Sequence, residues 1–236
     1  RIPEMPADRL PPSEAEDVMR KDLLRFLTPL PFRLLGGKFL KAERRVLAFR
    51  MSQAMCACSD ALLILDGRYK PHHADRDETP SIAALDEADK DMLRWGLNFR
   101  LNPGAAVKGQ PLELYFRARN CYRNVFLDCI RRVRGGKYGG VPDYAAALAE
   151  GPIAALRRAC AGTLGKQTPS PDRLYLAAAE ATLIEAVGPN GVSEDMTRQA
   201  VQFLGKIRER FLKLTDWESA RRVCITLHSR LMSDPY

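Results

Sequence analysis

From Lys38 to Leu65 the apolar residues Phe39, Leu40, Leu47, Met51, Ala54, Met55, Cys58, Leu62 and Leu65 recur with the period of an α-helix. A helix of this span is about 42 Å long at about 1.5 Å per residue. Its stripe runs from end to end, so it is expected to be buried along its whole length. Arg44, Arg45 and Arg50 lie mainly off the stripe. Alternating runs of Val, Ile and Thr, the mark of half-buried strands, are missing elsewhere. The expected fold is therefore all-α, an irregular multi-helix bundle of about eight helices.

Local signals place the other elements. Residues 1–12 hold Pro3, Pro6, Pro11 and Pro12 and read as an extended N-terminal arm. Ser13 and Glu16 have the spacing of a capping box, opening a helix that stops at Thr28-Pro29-Leu30-Pro31. A polar loop from Asp66 to Thr79 precedes a third helix, expected to start at Thr79-Pro80 and to run to Phe99. Asn102-Pro103-Gly104 reads as a turn. Pro111 opens a fourth helix that ends at Gly135-Gly136. Beyond it the pattern predicts short helices over 142–150 and 152–161, then longer ones over 171–187, 194–214 and 217–232. The glycines of 135–141 cannot sustain a helix, so this stretch is the expected hinge between an N-terminal lobe, 13–134, and a C-terminal lobe, 142–236.

The six cysteines (Cys56, Cys58, Cys121, Cys129, Cys160 and Cys224) show no paired framework and fall mostly in apolar helical stretches. Free buried thiols suit a reducing compartment. The most apolar run, Ala54 to Leu65, contains Ser59 and Asp60 and is shorter than the about 20 residues needed to cross a bilayer. No membrane span or signal peptide is expected. A first residue Arg1 rather than Met is what removal of an import presequence would leave, and what trimming would leave equally. The expected location is mitochondrial, on the matrix side or peripheral to the inner membrane.

Positive charge is concentrated. Between Arg117 and Gly140 there are seven basic residues and one acid, Asp128, a local +6 in a chain of net charge +8. On a helical wheel, Tyr115, Ala118, Cys121, Tyr122, Val125, Phe126, Cys129 and Ile130 fill a wide apolar arc. Arg119, Arg123 and Arg134 fall within that arc. A buried guanidinium must be paired or it costs several kcal/mol, on the order of a whole ion pair's worth. Two partners are open: acids of the third helix, such as Asp86, Glu87 or Asp91, or an external anion. Arg119, Arg123, Arg131, Arg132, Arg134 and Lys137 are thus the candidate site for partner carboxylates or anionic phospholipid.

Other motifs carry less. Gly135-Gly136-Lys137-Tyr138-Gly139-Gly140 lacks the hydroxyl residue of a nucleotide P-loop and reads as a hinge. Asp86-Glu87-Ala88-Asp89 spells a helicase box without its companion motifs. His72, His73, Asp75 and Asp77 cluster in a loop without the second ligand pair of a metal site, so no metal and no cofactor is expected. His228 has no nucleophile partner within reach of the pattern, and Cys56-Ala57-Cys58 splays its sulfurs around a helix. Arg-x-x-Gly-Gly-Lys-aromatic occurs at Arg33–Phe39 and at Arg132–Tyr138, with flanks that do not align.

Long amphipathic helices with few clustered polar residues suit a scaffold. The leading expectation is a non-catalytic accessory subunit of a large organellar assembly, a respiratory or ATP synthase membrane complex, that contacts other protein subunits and anionic lipid. The alternative is an RNA-binding protein or mitochondrial ribosome subunit, with Tyr115, Tyr122 or Tyr138 stacking on bases. A third reading is a helical enzyme of uncharacterised type.

Overall fold

A computed structural model of the chain describes residues 10–70, 85–103, 109–150 and 170–231. Among them the fold is all-α apart from one two-residue ladder. The chain divides into two compact units, the first ending at Lys137 and the second beginning at Tyr138. The arm over residues 1–9, the histidine loop, the Thr79-Pro80 start and the helix expected over 152–161 lie outside the described residues.

The first unit begins with α1 (Ser13–Asp22) and the single turn α2 (Leu24–Leu27). Ala15, Met19, Leu23, Phe26 and Leu27 form one buried stripe that passes through the break between them. The expected capping box is not formed. Pro12 already has helical angles (φ −52°, ψ −25°) and no side chain caps the helix, so Ser13 sits inside the first turn and Glu16 is released for another role. A 3-10 turn over Phe32–Gly36 follows.

Helix α3 (Lys41–Leu65) starts three residues later than its periodicity suggests. Gly37 takes a left-handed conformation (φ +78°) and Leu40 is extended, so the chain turns before the helix begins. The Leu40 N–H donates to Glu43 Oε2 at 2.9 Å, closing the first turn. From Leu47 to Ile64 almost every side chain is buried. By length and composition α3 could cross a membrane, but 72% of its most apolar window is buried within the protein. Packing against neighbouring helices accounts for that apolarity.

Helix α4 (Glu87–Leu101) starts later than expected as well, because Asp86 caps it by accepting the Asp89 N–H at 2.7 Å. Asp86-Glu87-Ala88-Asp89 is therefore a helix start: a capping aspartate followed by acids that favour the positive end of the helix dipole. Gly96 marks where α4 crosses α3. A Cβ built on it would lie 2.3 Å from Met55 Cβ, so only glycine permits this approach. Helix α5 (Pro111–Arg134) has proline in its first turn and ends at Gly135 (φ +69°), whose N–H donates to Arg131 O at 2.9 Å. The two Arg-x-x-Gly-Gly-Lys-aromatic stretches differ here. The left-handed residue is the second glycine in one and the first in the other, so the likeness is not structural.

The second unit contains α6 (Val141–Glu150), α7 (Pro171–Ala186), α8 (Glu194–Ile207) and α9 (Trp217–Leu231). Helix α7 is its axis. Leu174, Leu176, Ala177, Ala178, Ala179, Ala181, Leu183 and Ile184 are buried on every side of it, with α6, α8 and α9 packed around. It stops at Ala186 because Val187-Gly188 pairs antiparallel with Gly191-Val192, a small ladder the sequence pattern did not show. Ser170 and Ser193 cap α7 and α8 by accepting the N–H groups of Arg173 and Met196. The helix expected over 194–214 breaks at Arg208, which is extended (φ −150°, ψ 123°), and a 3-10 turn over Glu209–Lys213 folds back. Leu212 then lies over Gly205, where a Cβ would meet Leu212 Cδ2 at 2.3 Å. Trp217 Nε1 donates to Leu183 O at 2.9 Å and locks α9 to α7.

Candidate functional site

Helix α5 places the candidate arginines. Its inner row, Tyr115, Ala118, Cys121, Tyr122, Val125, Phe126, Cys129 and Ile130, is buried against α1 and α3. Tyr122 donates its hydroxyl to Met19 O, and Phe26 makes edge contacts with Tyr115 and Tyr122, ring centres 5.9 and 5.0 Å away. Tyr115 and Tyr122 are thus enclosed, and neither presents a face on which a base could stack. Tyr138, in the second unit, is half-buried and lies edge-on to Tyr144 at 5.4 Å.

The last turn of α5 is bound to carboxylates of the same unit. Arg134 makes a two-pronged contact with Glu16, Nε to Oε2 and Nη2 to Oε1, both 2.8 Å. Glu16 is only 1% exposed and also accepts from Arg20 Nη1 at 2.6 Å. Arg132 reaches Asp66 at 3.1 Å and Asp128 at 2.8 Å. Arg131 stands 3.4 Å from Asp128 and is mostly exposed. Arg119 and Arg123 are half-buried, Arg119 with its guanidinium 5.1 Å from the centre of the Phe116 ring. Arg117 and Lys137 are exposed. Cations at a helix C-terminus are also favoured by its dipole.

The acids expected to pair with α5 do other work. Asp86 caps α4, Glu87 pairs with Lys90 at 2.8 Å, and Asp91 stands 3.3 Å from Arg94. Asp89, one turn inward, accepts from Asn124 Nδ2 at 2.9 Å. A capping acid is stabilised by its own helix's N–H groups, which keeps Asp86 local, while Glu87 and Asp91 pair within α4. Arg132 and Arg134 are met instead by Glu16 of α1, by Asp66 at the end of α3 and by Asp128 of α5 itself, and Asp89 of α4 meets α5 through Asn124.

Reactive groups elsewhere are enclosed. Cys56, Cys58, Cys121, Cys129 and Cys224 are buried and take part in no disulfide. Burial raises the thiols of Cys58, Cys121 and Cys224 well above the ordinary range, and that of Cys129 to about 12. None of these four is a thiolate near neutral pH, so none of them is an activated nucleophile. Among the described residues no group of three or more His, Cys, Asp or Glu could hold a metal ion. His228 does have a partner that sequence reasoning missed: its Nδ1 lies 2.8 Å from Oε1 of Glu180 on α7. Burial raises the Glu180 carboxyl above its ordinary range, and the nearby imidazole opposes the shift without cancelling it. Glu180 Oε2 is buried with no hydrogen-bond partner among the described residues. The available signal was Glu180 itself, a lone acid in the run Ala177-Ala178-Ala179-Glu180-Ala181.

No protein-family model, curated protein or solved structure matches the chain.

Proposed function

We propose that this chain is a non-catalytic helical accessory subunit of a large organellar assembly, of the respiratory or ATP synthase membrane type. One observation carries the reading: among the described residues the thiols and the imidazole are enclosed, while large apolar side chains are left outside. The described thiols are buried, His228 is bound to Glu180, and Arg132 and Arg134 are bound to internal carboxylates. Phe32, Leu40, Val46, Phe49 and Leu101 meanwhile stay exposed in the first unit. Scattered exposed leucines are ordinary, but a group of them on one unit fits a contact surface. Free cysteines fit a reducing compartment such as the mitochondrial matrix. The burial of Tyr115 and Tyr122 weighs against the RNA alternative.

The test is purification of the tagged chain from its native cells in mild detergent, with sizing and identification of what travels with it. A reproducible set of co-migrating subunits supports the reading. A chain that elutes alone as a monomer overturns it.

A further inference from the structure

The first half of α3 differs from α5 in how its cations are bound. Between Phe32 and Arg50 stand six cations, Arg33, Lys38, Lys41, Arg44, Arg45 and Arg50, against one carboxylate, Glu43. Glu43 is already engaged by Arg33 and by the Leu40 N–H. Arg45 and Arg50 reach neutral acceptors instead, Pro103 O and Gln53 Oε1, each at 3.2 Å. Among the described residues, therefore, no carboxylate besides Glu43 meets these cations.

Apolar side chains lie among these cations. Leu40 is 70% exposed and Leu101 59%, and Phe32, Val46 and Phe49 are exposed too. Contacts place them at one end of the first unit. The Arg33–Glu43 pair holds the 3-10 turn beside the first turn of α3. Arg100, near the end of α4, stands over the Phe49 ring at 5.3 Å, and Arg45 bonds to the Pro103 carbonyl just beyond α4. On α3 itself, Val46 and Phe49 face away from the buried row of Leu47, Ala48 and Met51.

We infer that this end of the first unit docks on an anionic bilayer surface, with Leu40, Val46, Phe49, Phe32 and Leu101 entering the headgroup boundary and Lys38, Lys41, Arg44 and Arg45 meeting lipid phosphates. Charge complementarity selects the partner: cations without internal carboxylates, interleaved with apolar groups, match anionic headgroups lying over acyl chains. Three of the five apolar side chains are aliphatic and offer no ring to stack on a base, which disfavours a nucleic acid as occupant. The surface is separate from the basic end of α5, whose charge is largely met from within. The inference assigns to a bilayer the same exposed side chains that support the subunit reading, and its test is separate, since the vesicle assay needs no partner protein.

The experiment is co-sedimentation of the full chain with vesicles of equal parts phosphatidylcholine and phosphatidylglycerol, and with phosphatidylcholine alone. Binding to the mixed vesicles only, weakening with salt, is expected. Each cation lost should weaken it about fivefold, so Lys41→Glu with Arg44→Glu, which also adds repulsion, should lose more than tenfold. Leu40→Ser with Val46→Ser, at exposed positions that leave the core intact, should weaken binding without changing its salt dependence. Arg131→Glu with Lys137→Glu should leave it unchanged. The inference is overturned by absence of binding to mixed vesicles, by equal binding to neutral ones, or by loss of binding only in the Arg131/Lys137 variant. It is overturned equally if single-stranded RNA binds in the vesicles' place, or if the face is covered by a second copy of the chain in solution.

Discussion

Two stretches of the first unit concentrate positive charge, and they use it in opposite ways. In the last turn of α5, Arg132 and Arg134 end on Asp66, Asp128 and Glu16. In the first half of α3, Arg45 and Arg50 end on neutral oxygens, and exposed apolar groups stand between the cations. Charge density along the chain points to α5. Charge availability points to α3. A guanidinium matters to a partner only when no internal carboxylate has already neutralised it, and that is a property of the folded neighbourhood.

The strongest way to break this contrast is at Glu16. Its carboxylate holds Arg20 and Arg134 together while almost fully enclosed. Glu16→Gln should cost about 3 kcal/mol, because two guanidiniums are left facing each other in a poorly solvated place. Replacing Glu16 and Arg134 together by methionine should recover part of that loss. Urea unfolding checks both, and a Glu16→Gln change below about 0.5 kcal/mol would mean the charge at α5 is not held internally.

Next in size is the crossing that fixes the buried half of α3. Gly96→Ala pushes a methyl group into Met55 Cβ, an atom next to the α3 backbone, and should cost about 2 kcal/mol. Gly205→Ala meets an equally close atom, but that atom is the tip of Leu212, itself exposed and free to rotate. Its cost should stay below about 1 kcal/mol. Equal penalties would show that the backbone at Gly96 yields as easily as a side-chain tip.

A third test sets Glu16 against the other enclosed acid, Glu180. Glu180 has one imidazole and an oxygen with no hydrogen-bond partner among the described residues, and burial raises its carboxyl above the ordinary range. The folded chain therefore holds this proton more tightly than the unfolded chain. The associated stability is fully present below the ordinary carboxylate range and is lost as pH rises through the raised value. Glu180→Gln, which resembles the protonated form, should match the parent at low pH and become the more stable of the two as pH rises. Melting temperatures across that range check the sign. A variant that loses ground with rising pH would show Glu180 ionised against a charged His228.

The smallest effect is expected where the surface is free. Lys41→Ala and Arg44→Ala should each change stability by less than about 0.5 kcal/mol, because both side chains are exposed. A larger loss would mean that these cations are structural, as those of α5 are.

How far the fold was legible follows from the range of each signal. Pro111 and Gly135 mark the ends of α5, and Ser170-Pro171 and Ser193 mark the starts of α7 and α8, because a cap is a contact among residues three or four apart. Asp86 capped α4 by the same rule but was hidden, since Thr79-Pro80 offered an earlier start of the same kind. The break at Arg208, where the backbone becomes extended, was not legible, because the apolar period runs on through Phe211 and Leu214. Of the candidate site, the half-buried setting of Arg119, Arg123 and Arg134 followed from the wheel. The partner of Arg134, Glu16, did not.

The sequence alone determined that this chain is helical, where most of its helices start, and which face of each is apolar, because those properties are set within a turn or two of the backbone. Only the tertiary structure decided which charges meet. Glu16 has the spacing of a capping residue, yet it binds Arg134, 118 positions away. Arg44 and Arg45 look like an ordinary solvated face, yet they border an apolar surface that only the turn at Gly37 and the end of α4 complete. Ion pairs and exposed patches are set by which elements pack together, and in this chain that pairing lies beyond the reach of local pattern.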